Sequence, residues 1–166
     1  PVTVKEELSQ IKNYLSLQQL RLQEKLEIVY DTDEEALSCY MPKILLQPIL
    51  ENCFSHGFKN ISHKLVISVT IKKEGRDISF TVADNGRGMT IDELDRLAEK
   101  LSRRDMPAEH GIGLYNVNER LRLYFSDNRG LIILSRENEG MSVSFTIPAS
   151  LDSSAVYQFK KPKKED

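Results

Sequence analysis

Apolar residues recur at Leu8, Ile11, Leu15 and Leu22, a spacing that predicts one long helix from about Val4 to Leu26. Gln18 and Lys25 interrupt the seam, while Leu17 and Leu20 widen it beyond a strict two-stranded coil. Such a stripe suits a helix packed on its own domain or one that leaves the domain to join a bundle, with the balance toward the second. Leu26 to Tyr30 then reads as a strand. Asp31 to Glu35 reads as a solvated acidic turn, because the twelve-residue pattern of a calcium loop is missing. Pro42 suits the first position of a second helix, reaching about His56 and stopped by Gly57. On a helical wheel Leu46, Ile49, Leu50, Cys53 and Phe54 share one side. Gln47, Glu51, Asn52, Ser55 and His56 share the other.

The pattern changes to period two in the next stretch. Lys64 to Glu74 and Asp77 to Asp84 predict a hairpin joined at Gly75-Arg76. Ile78, Phe80 and Val82 line one face, and the next residue on that face is Asp84, a carboxylate in register with a buried stripe. Asn85-Gly86-Arg87-Gly88 supplies a turn, and Thr90 caps a helix from Ile91 to about Leu101. Ser102 to His110 has no apolar period and is expected to be a mobile loop. Gly111-Ile112-Gly113 leads into a helix from Leu114 to about Phe125, with Val117, Leu121 and Tyr124 inward. Asn128-Arg129-Gly130 marks a turn. Leu131–Ser135 and Met141–Ile147 predict two closing strands, and Ala149 to Asp166 is expected to be a disordered tail. Strands in adjacent antiparallel pairs with helices between them predict an α+β fold: a two-layer α/β sandwich whose mixed, mostly antiparallel sheet carries helices on one face.

Composition narrows the class without naming a function. A chain of 166 residues with 40% hydrophobic and 29% charged content fits one soluble domain, with or without an appendage. A net charge of −2 gives no electrostatic footprint for nucleic acid. Cys39 and Cys53 make no disulfide framework and are expected as reduced thiols. No apolar run reaches membrane-spanning length, and no signal peptide is expected in this stretch. The first residue is Pro1 rather than Met, which suggests a piece of something larger.

Three separated pieces carry candidate chemistry. The polar face at Glu51, Asn52 and His56 holds no Lys or Arg and places an Asn, a poor helix former, in mid-helix. An Asn there can ligate Mg²⁺ held by phosphates. Asp84 can accept a hydrogen bond from an exocyclic amine such as that of adenine, although taken alone Asp84–Gly88 is also an ordinary hairpin turn. Gly111 to Gly113 opens a helix whose free N–H groups suit an anion.

Their order resembles the ATP-binding domain of the gyrase, heat-shock chaperone, histidine kinase and mismatch-repair superfamily (GHKL, HATPase_c), and within it the LytS-like sensor histidine kinases. Leu46-Gln-Pro-Ile-Leu-Glu-Asn52 with His56-Gly57 matches the N box, Asp84-Asn-Gly-Arg-Gly-Met89 the G1 box, and Gly111 to Leu121 the G2 box. Glu6-Glu7-Leu8, Ile11-Lys-Asn-Tyr-Leu15 and Gln19-Leu-Arg-Leu22 resemble the end of that subfamily's dimerisation region. The resemblance spans about residues 5–148 and implies the Bergerat ATP-binding fold, with residues 1–26 ending a dimerisation helix, 27–148 forming the catalytic domain and 149–166 a tail. It further implies that Asn52 ligates Mg²⁺ and Asp84 binds the adenine amino group. Gly86 and Gly88, beside Met89, would let the backbone approach the base. Gly111, Ile112, Gly113 and Leu114 would border the lid at the phosphates, His56 would sit near phosphates or ribose, and Glu51 would be the candidate assisting group.

The implied reaction is transfer of the ATP γ-phosphoryl group to a histidine in an upstream dimerisation domain of a homodimer, with a response regulator as the next partner. The implied location is the cytoplasmic side of a membrane-anchored sensor. Alternatives are a nucleotide-binding pseudokinase or interaction module, and a serine kinase of the anti-sigma type, against which the long N-terminal helix argues. Three departures from the family pattern stand out. Pro48 occupies the place of a water-activating Glu, which disfavours hydrolysis. Ser55 stands where many kinases have a Lys, so the phosphates need another cation, with Lys59, Arg103 and Arg104 as candidates. Glu109 replaces a lid Gly. None of His56, His63 and His110 lies in the subfamily's phosphoacceptor stretch, so the chain alone is not expected to autophosphorylate.

Overall fold

The strands with the strongest apolar alternation form the middle of one five-stranded sheet. The computed structural model describes residues 1–103, 112–125 and 129–157. Its strands are β1 (Val2–Thr3), β2 (Leu26–Thr32), β3 (Tyr40–Met41), β4 (Leu65–Glu74), β5 (Asp77–Asp84), β6 (Ile132–Arg136) and β7 (Gly140–Pro148). Its helices are α1 (Val4–Leu22), α2 (Glu34–Leu37), α3 (Leu46–Asn52), α4 (Ile91–Ser102) and α5 (Ile112–Tyr124). The sheet order is β2-β4-β5-β7-β6, with β2 parallel to β4 and the other neighbours antiparallel. This is the expected mixed, mostly antiparallel sheet.

Register explains the layering. Ile71, Phe80 and Phe145 lie in one row across β4, β5 and β7, and Val69, Val82 and Val143 in the next. All are buried, and the rings of Phe80 and Phe145 stack at 4.8 Å. Ile49, Leu50 and Cys53 from the α3 segment and Leu114, Val117 and Leu121 from α5 join the same cluster. The opposite face carries Ser68, Thr70, Ser79, Thr81, Ser142 and Ser144, and Ile132 and Leu134 are exposed at its edge. Helices therefore cover one face.

α1 differs from the expectation in where its stripe goes. Val4, Leu8, Ile11 and Leu15 are buried in the domain core, while Leu17 and Leu20 are 66% and 75% exposed. A helical period shows that a stripe exists but not which surface it meets. A capping box between Thr3 and Glu6 starts the helix, and β1 pairs with β3 beside it.

Three further expectations change. Pro42 does not open a helix: Ile44 has φ of +60°, and α3 begins only at Leu46. The acidic turn is bound rather than free, with Lys72 reaching Asp31 at 2.5 Å and Asp33 at 3.1 Å, and Lys73 reaching Glu35 at 3.0 Å. Disorder from Ala149 onward does not hold through Tyr157. Ser153–Tyr157 is a 3₁₀ turn with Val156 buried, and Tyr40 N–H donates to the Ser150 carbonyl at 2.8 Å. Leu151 and Val156, five residues apart, fit neither a strand nor a helix period, so the sequence leaves no period to detect. The loop expected at 102–110 begins inside α4 at Ser102, and its residues 104–110, with Asn128 of the expected turn and residues 158–166 of the tail, lie outside the described residues.

Candidate functional site

Four segments close around a cavity of about 650 Å³ on the helical side of the sheet. α3 and the turn after it supply Pro48, Glu51, Asn52, Ser55 and His56. The chain after β5 supplies Arg87 and Met89, α4 supplies Glu93, Arg96, Leu97 and Lys100, and α5 supplies Gly113 and Leu114. The polar side of α3 faces the cavity because its other side, Leu46, Ile49 and Leu50, is buried. Past Asn52 the helix widens into a π turn over Cys53–Gly57, closed by Phe58 N–H on the Cys53 carbonyl at 3.2 Å.

Asn52 is half-buried. Its Nδ2 donates to the Sδ of Met141 at 3.7 Å, and Oδ1 makes no hydrogen bond among the described residues. An uncommitted carboxamide oxygen on a cavity wall fits the hard oxygen ligation that Mg²⁺ requires. Glu51 accepts from Gln47 Nε2 at 2.9 Å. Partial burial, then the charges of Lys59 and Arg87, hold the His56 imidazole below its ordinary pKa, so the neutral ring is favoured at pH 7.

Asp84 occupies the buried row foreseen for it, with Ile67 and Met141 as Cα partners. Burial pushes its pKa up, opposed by hydrogen bonds from Gly86 N–H at 2.8 Å, the Cys53 thiol and the Met141 backbone. Asp84 does not line the large cavity. It borders a shallower depression with Ser135, Gly140 and Met141, and glycine backbone separates it from the α3 side. A Cβ on Gly57 would come to 3.0 Å from Asp84 Oδ1, and a Cβ on Gly86 would come to 2.4 Å from the Gly57 carbonyl oxygen.

Gly86 and Gly88 are both required by the chain's own packing. Gly86 gives room to Gly57, and Arg87 N–H donates to the Gly57 carbonyl at 3.1 Å. Gly88, at φ +65°, gives room to the carbonyls of Arg136 and Gly140. The approach they permit here is that of chain to chain. Met89, Gly113 and Leu114 do line the cavity, Ile112 begins α5, and Gly111 lies outside the described residues.

The cations foreseen for the phosphate end change as well. Lys59 is not on the wall, Arg103 pairs with Glu99, and Arg104 lies outside the described residues. The cations on the cavity wall are Arg87, Arg96 and Lys100, Arg87 being paired with Glu93 at 2.9 Å. Glu93, Arg96, Leu97 and Lys100 fall at helical spacing on one stripe of α4, a signal present in the sequence but shared by any solvated helix face. The apolar wall of Pro48, Met89, Leu97 and Leu114 suits a flat base, and the cationic rim suits phosphates.

Residues 42–151 match the family of histidine kinase-, DNA gyrase B- and HSP90-like ATPases. The chain belongs to this family. It is thus an ATP-binding domain of the HATPase_c type. It is 34% identical over 147 residues to the sensor histidine kinase YesM of Bacillus subtilis, covering 89% of this chain and 24% of that protein. It is 32% identical over 147 residues to the sensor histidine kinase YpdA of Escherichia coli, with the same coverages. The sensor protein LytS of Bacillus subtilis is 32% identical over 149 residues, again 89% of this chain and 24% of the relative. The chain thus spans about a quarter of the length of these relatives. The HATPase_c fold agrees with solved structures: a nucleotide-free catalytic domain of histidine kinase ThkA superposes with a TM-score of 0.65 at 16% identity, covering 89% of this chain and 95% of that one. The histidine kinase domain from the blue-light activated kinase of Erythrobacter litoralis EL346 gives 0.61 at 17% identity, covering 95% of this chain and 66% of that one.

Proposed function

We infer that this chain is the catalytic part of a sensor histidine kinase, which takes ATP with Mg²⁺ in the 650 Å³ cavity and presents the γ-phosphoryl group to a histidine outside the chain. One observation carries the reading: Asn52, Met89, Arg96 and Leu114, from four separate segments, converge on one wall system with an apolar side and a cationic rim. The base lies against Met89 and Leu97, and Asp84, covered in this structure by the Gly57 backbone, is the group assigned to its amino substituent once that backbone gives way. The phosphates lie toward Arg96 and Lys100, near the N-terminal end of α5. Asn52 Oδ1 would hold Mg²⁺, which supplies charge neutralisation on the phosphates when bound. Catalysis in such a site is mainly positioning and electrostatics.

Pro48 at the cavity wall offers no base for activating water, which favours transfer over hydrolysis. Glu51 is the carboxylate beside Asn52 and the candidate assisting group. The acceptor histidine belongs to a dimerisation region that α1 continues, with Leu17 and Leu20 on its outer face. A response regulator takes the phosphoryl group next, on the cytoplasmic side of a membrane-anchored sensor. No helix among the described residues is itself long and apolar enough to cross a membrane. Calorimetry with a non-hydrolysable ATP analogue, with and without Mg²⁺, tests the reading. Binding that strengthens with Mg²⁺ is expected; no binding at millimolar nucleotide overturns it.

A further inference from the structure

α3 carries Asn52 and leads to His56, yet it has no cap of its own. Its N-cap position is Leu45, which makes no side-chain capping bond, and its first turn has no acidic residue. The leading N–H groups of a helix lack partners within it. Here the partner comes from another helix. Glu7 of α1 is 1% exposed. Its Oε2 accepts from Ile44 N–H at 2.8 Å, and its Oε1 accepts from Leu45 and Leu46 N–H at 2.8 and 3.0 Å. A carboxylate there also meets the positive end of the helix dipole.

α5 grips the same loop from the other side. Arg120 donates through Nη1 to the Ile44 carbonyl at 2.9 Å and through Nη2 to the Lys43 carbonyl at 2.5 Å. Between the two lies Ile44 at φ +60°, a region that a β-branched residue enters only when its surroundings impose it. Its side chain is 43% exposed, so core packing does not impose it. Glu7 and Arg120 do.

We propose that Glu7 and Arg120 are positioning residues for Asn52. They fix the start of α3, and through that short rod they set how Asn52 and His56 enter the cavity. The position of α1 is thereby read at the nucleotide site. Leu46 and Asn52 are six residues apart, about 9 Å along a helix axis. The first turn of α5 brings Gly113 and Leu114 to the same cavity, so Arg120 ties two of its walls together. Withdrawal of Glu7 leaves buried N–H groups without an acceptor and lets Ile44 relax to negative φ, which turns the first residues of α3. The inference rests on the cavity being the ATP site.

The test measures analogue affinity for the whole chain in the presence of Mg²⁺, well below its unfolding temperature. Glu7→Gln keeps the size but turns an NH₂ group toward a backbone N–H, and at least tenfold weaker binding is expected. Arg120→Ala is expected to cost three- to tenfold. Adding Ile44→Gly to either variant should restore affinity to within twofold of the parent, because glycine adopts positive φ without strain. If Glu7→Gln does not fold, the Arg120→Ala pair with and without Ile44→Gly decides. A lowered Tm with Kd within twofold of the parent, or no rescue by Ile44→Gly, overturns the proposal. A parent chain that binds no nucleotide overturns the functional reading instead. In that case amide exchange at Asn52 and His56 decides the positioning role, with at least tenfold faster exchange in the variants expected and unchanged exchange refuting it.

Discussion

Asn52 gives its amide nitrogen to the sulfur of Met141 at 3.7 Å, across the seam between α3 and β7, and its oxygen is left for the cavity. A strand residue thus orients a helix residue at the point where the metal is expected. Asn52→Ala should abolish the part of ATP-analogue affinity that depends on Mg²⁺, leaving the metal-free affinity within about threefold of the parent. Calorimetry in Mg²⁺ and in EDTA checks both halves; an intact Mg²⁺ increment would place the metal elsewhere.

Asp84 carries opposite demands. Burial raises its pKa, so the ionised form is disfavoured in the fold. The stability this group contributes is present at low pH and is lost as pH rises through its folded pKa. Asp84→Asn keeps an acceptor for Gly86 N–H and removes the buried charge. At pH 7 the variant should melt no lower than the parent while losing at least tenfold in adenine-nucleotide affinity. A binding loss with retained Tm separates recognition from folding.

Arg96 and Lys100 should act on phosphate charge alone. Each change to Ala is expected to weaken ATP-analogue binding about three- to tenfold and adenosine binding less than twofold. The difference should shrink as salt rises, because exposed charges are screened within about 10 Å at 0.1 M ionic strength. Parallel titrations of the two ligands at low and high salt read this directly.

His56 titrates the other way from Asp84. Its pKa is lowered in the fold, so the stability it contributes is present above the ordinary histidine value and lost as pH falls through the folded one. His56→Gln should therefore lose less Tm than the parent between pH 7 and 5.5. The gap should be small, on the order of 1 °C, because the ring is only partly buried and its charge is screened by solvent. A gap of opposite sign would show that the ring is held protonated.

The central strands were legible because β4, β5 and β7 alternate with period two, and α4 because Thr90 and Glu93 form a local capping box. Met89 and Leu114 on the cavity wall were legible through motif spacing. The start of α3 was not, since Glu7 caps it from a helix 37 to 39 residues earlier and no local pattern records that distance. Arg96 and Lys100 were visible as charges but not as a site, because the same stripe on another helix would face water. Gly86 and Gly88 were singled out correctly as positions needing space, while what fills the space was a tertiary fact.

Asp84 and Met141 pair on one rung, so the chain between them is one excursion through α4 and α5 that returns by way of the edge strand β6 to the strand beside its start. α4, α5 and the link between them are all inside it. The sheet therefore fixes the two ends of the excursion and is indifferent to its length. The closure entropy of a loop grows only with the logarithm of its length, about 0.6 kcal/mol for each doubling. Connections of quite different length between α4 and α5 can then be accommodated without refolding the domain, because β5 and β7 stay in register.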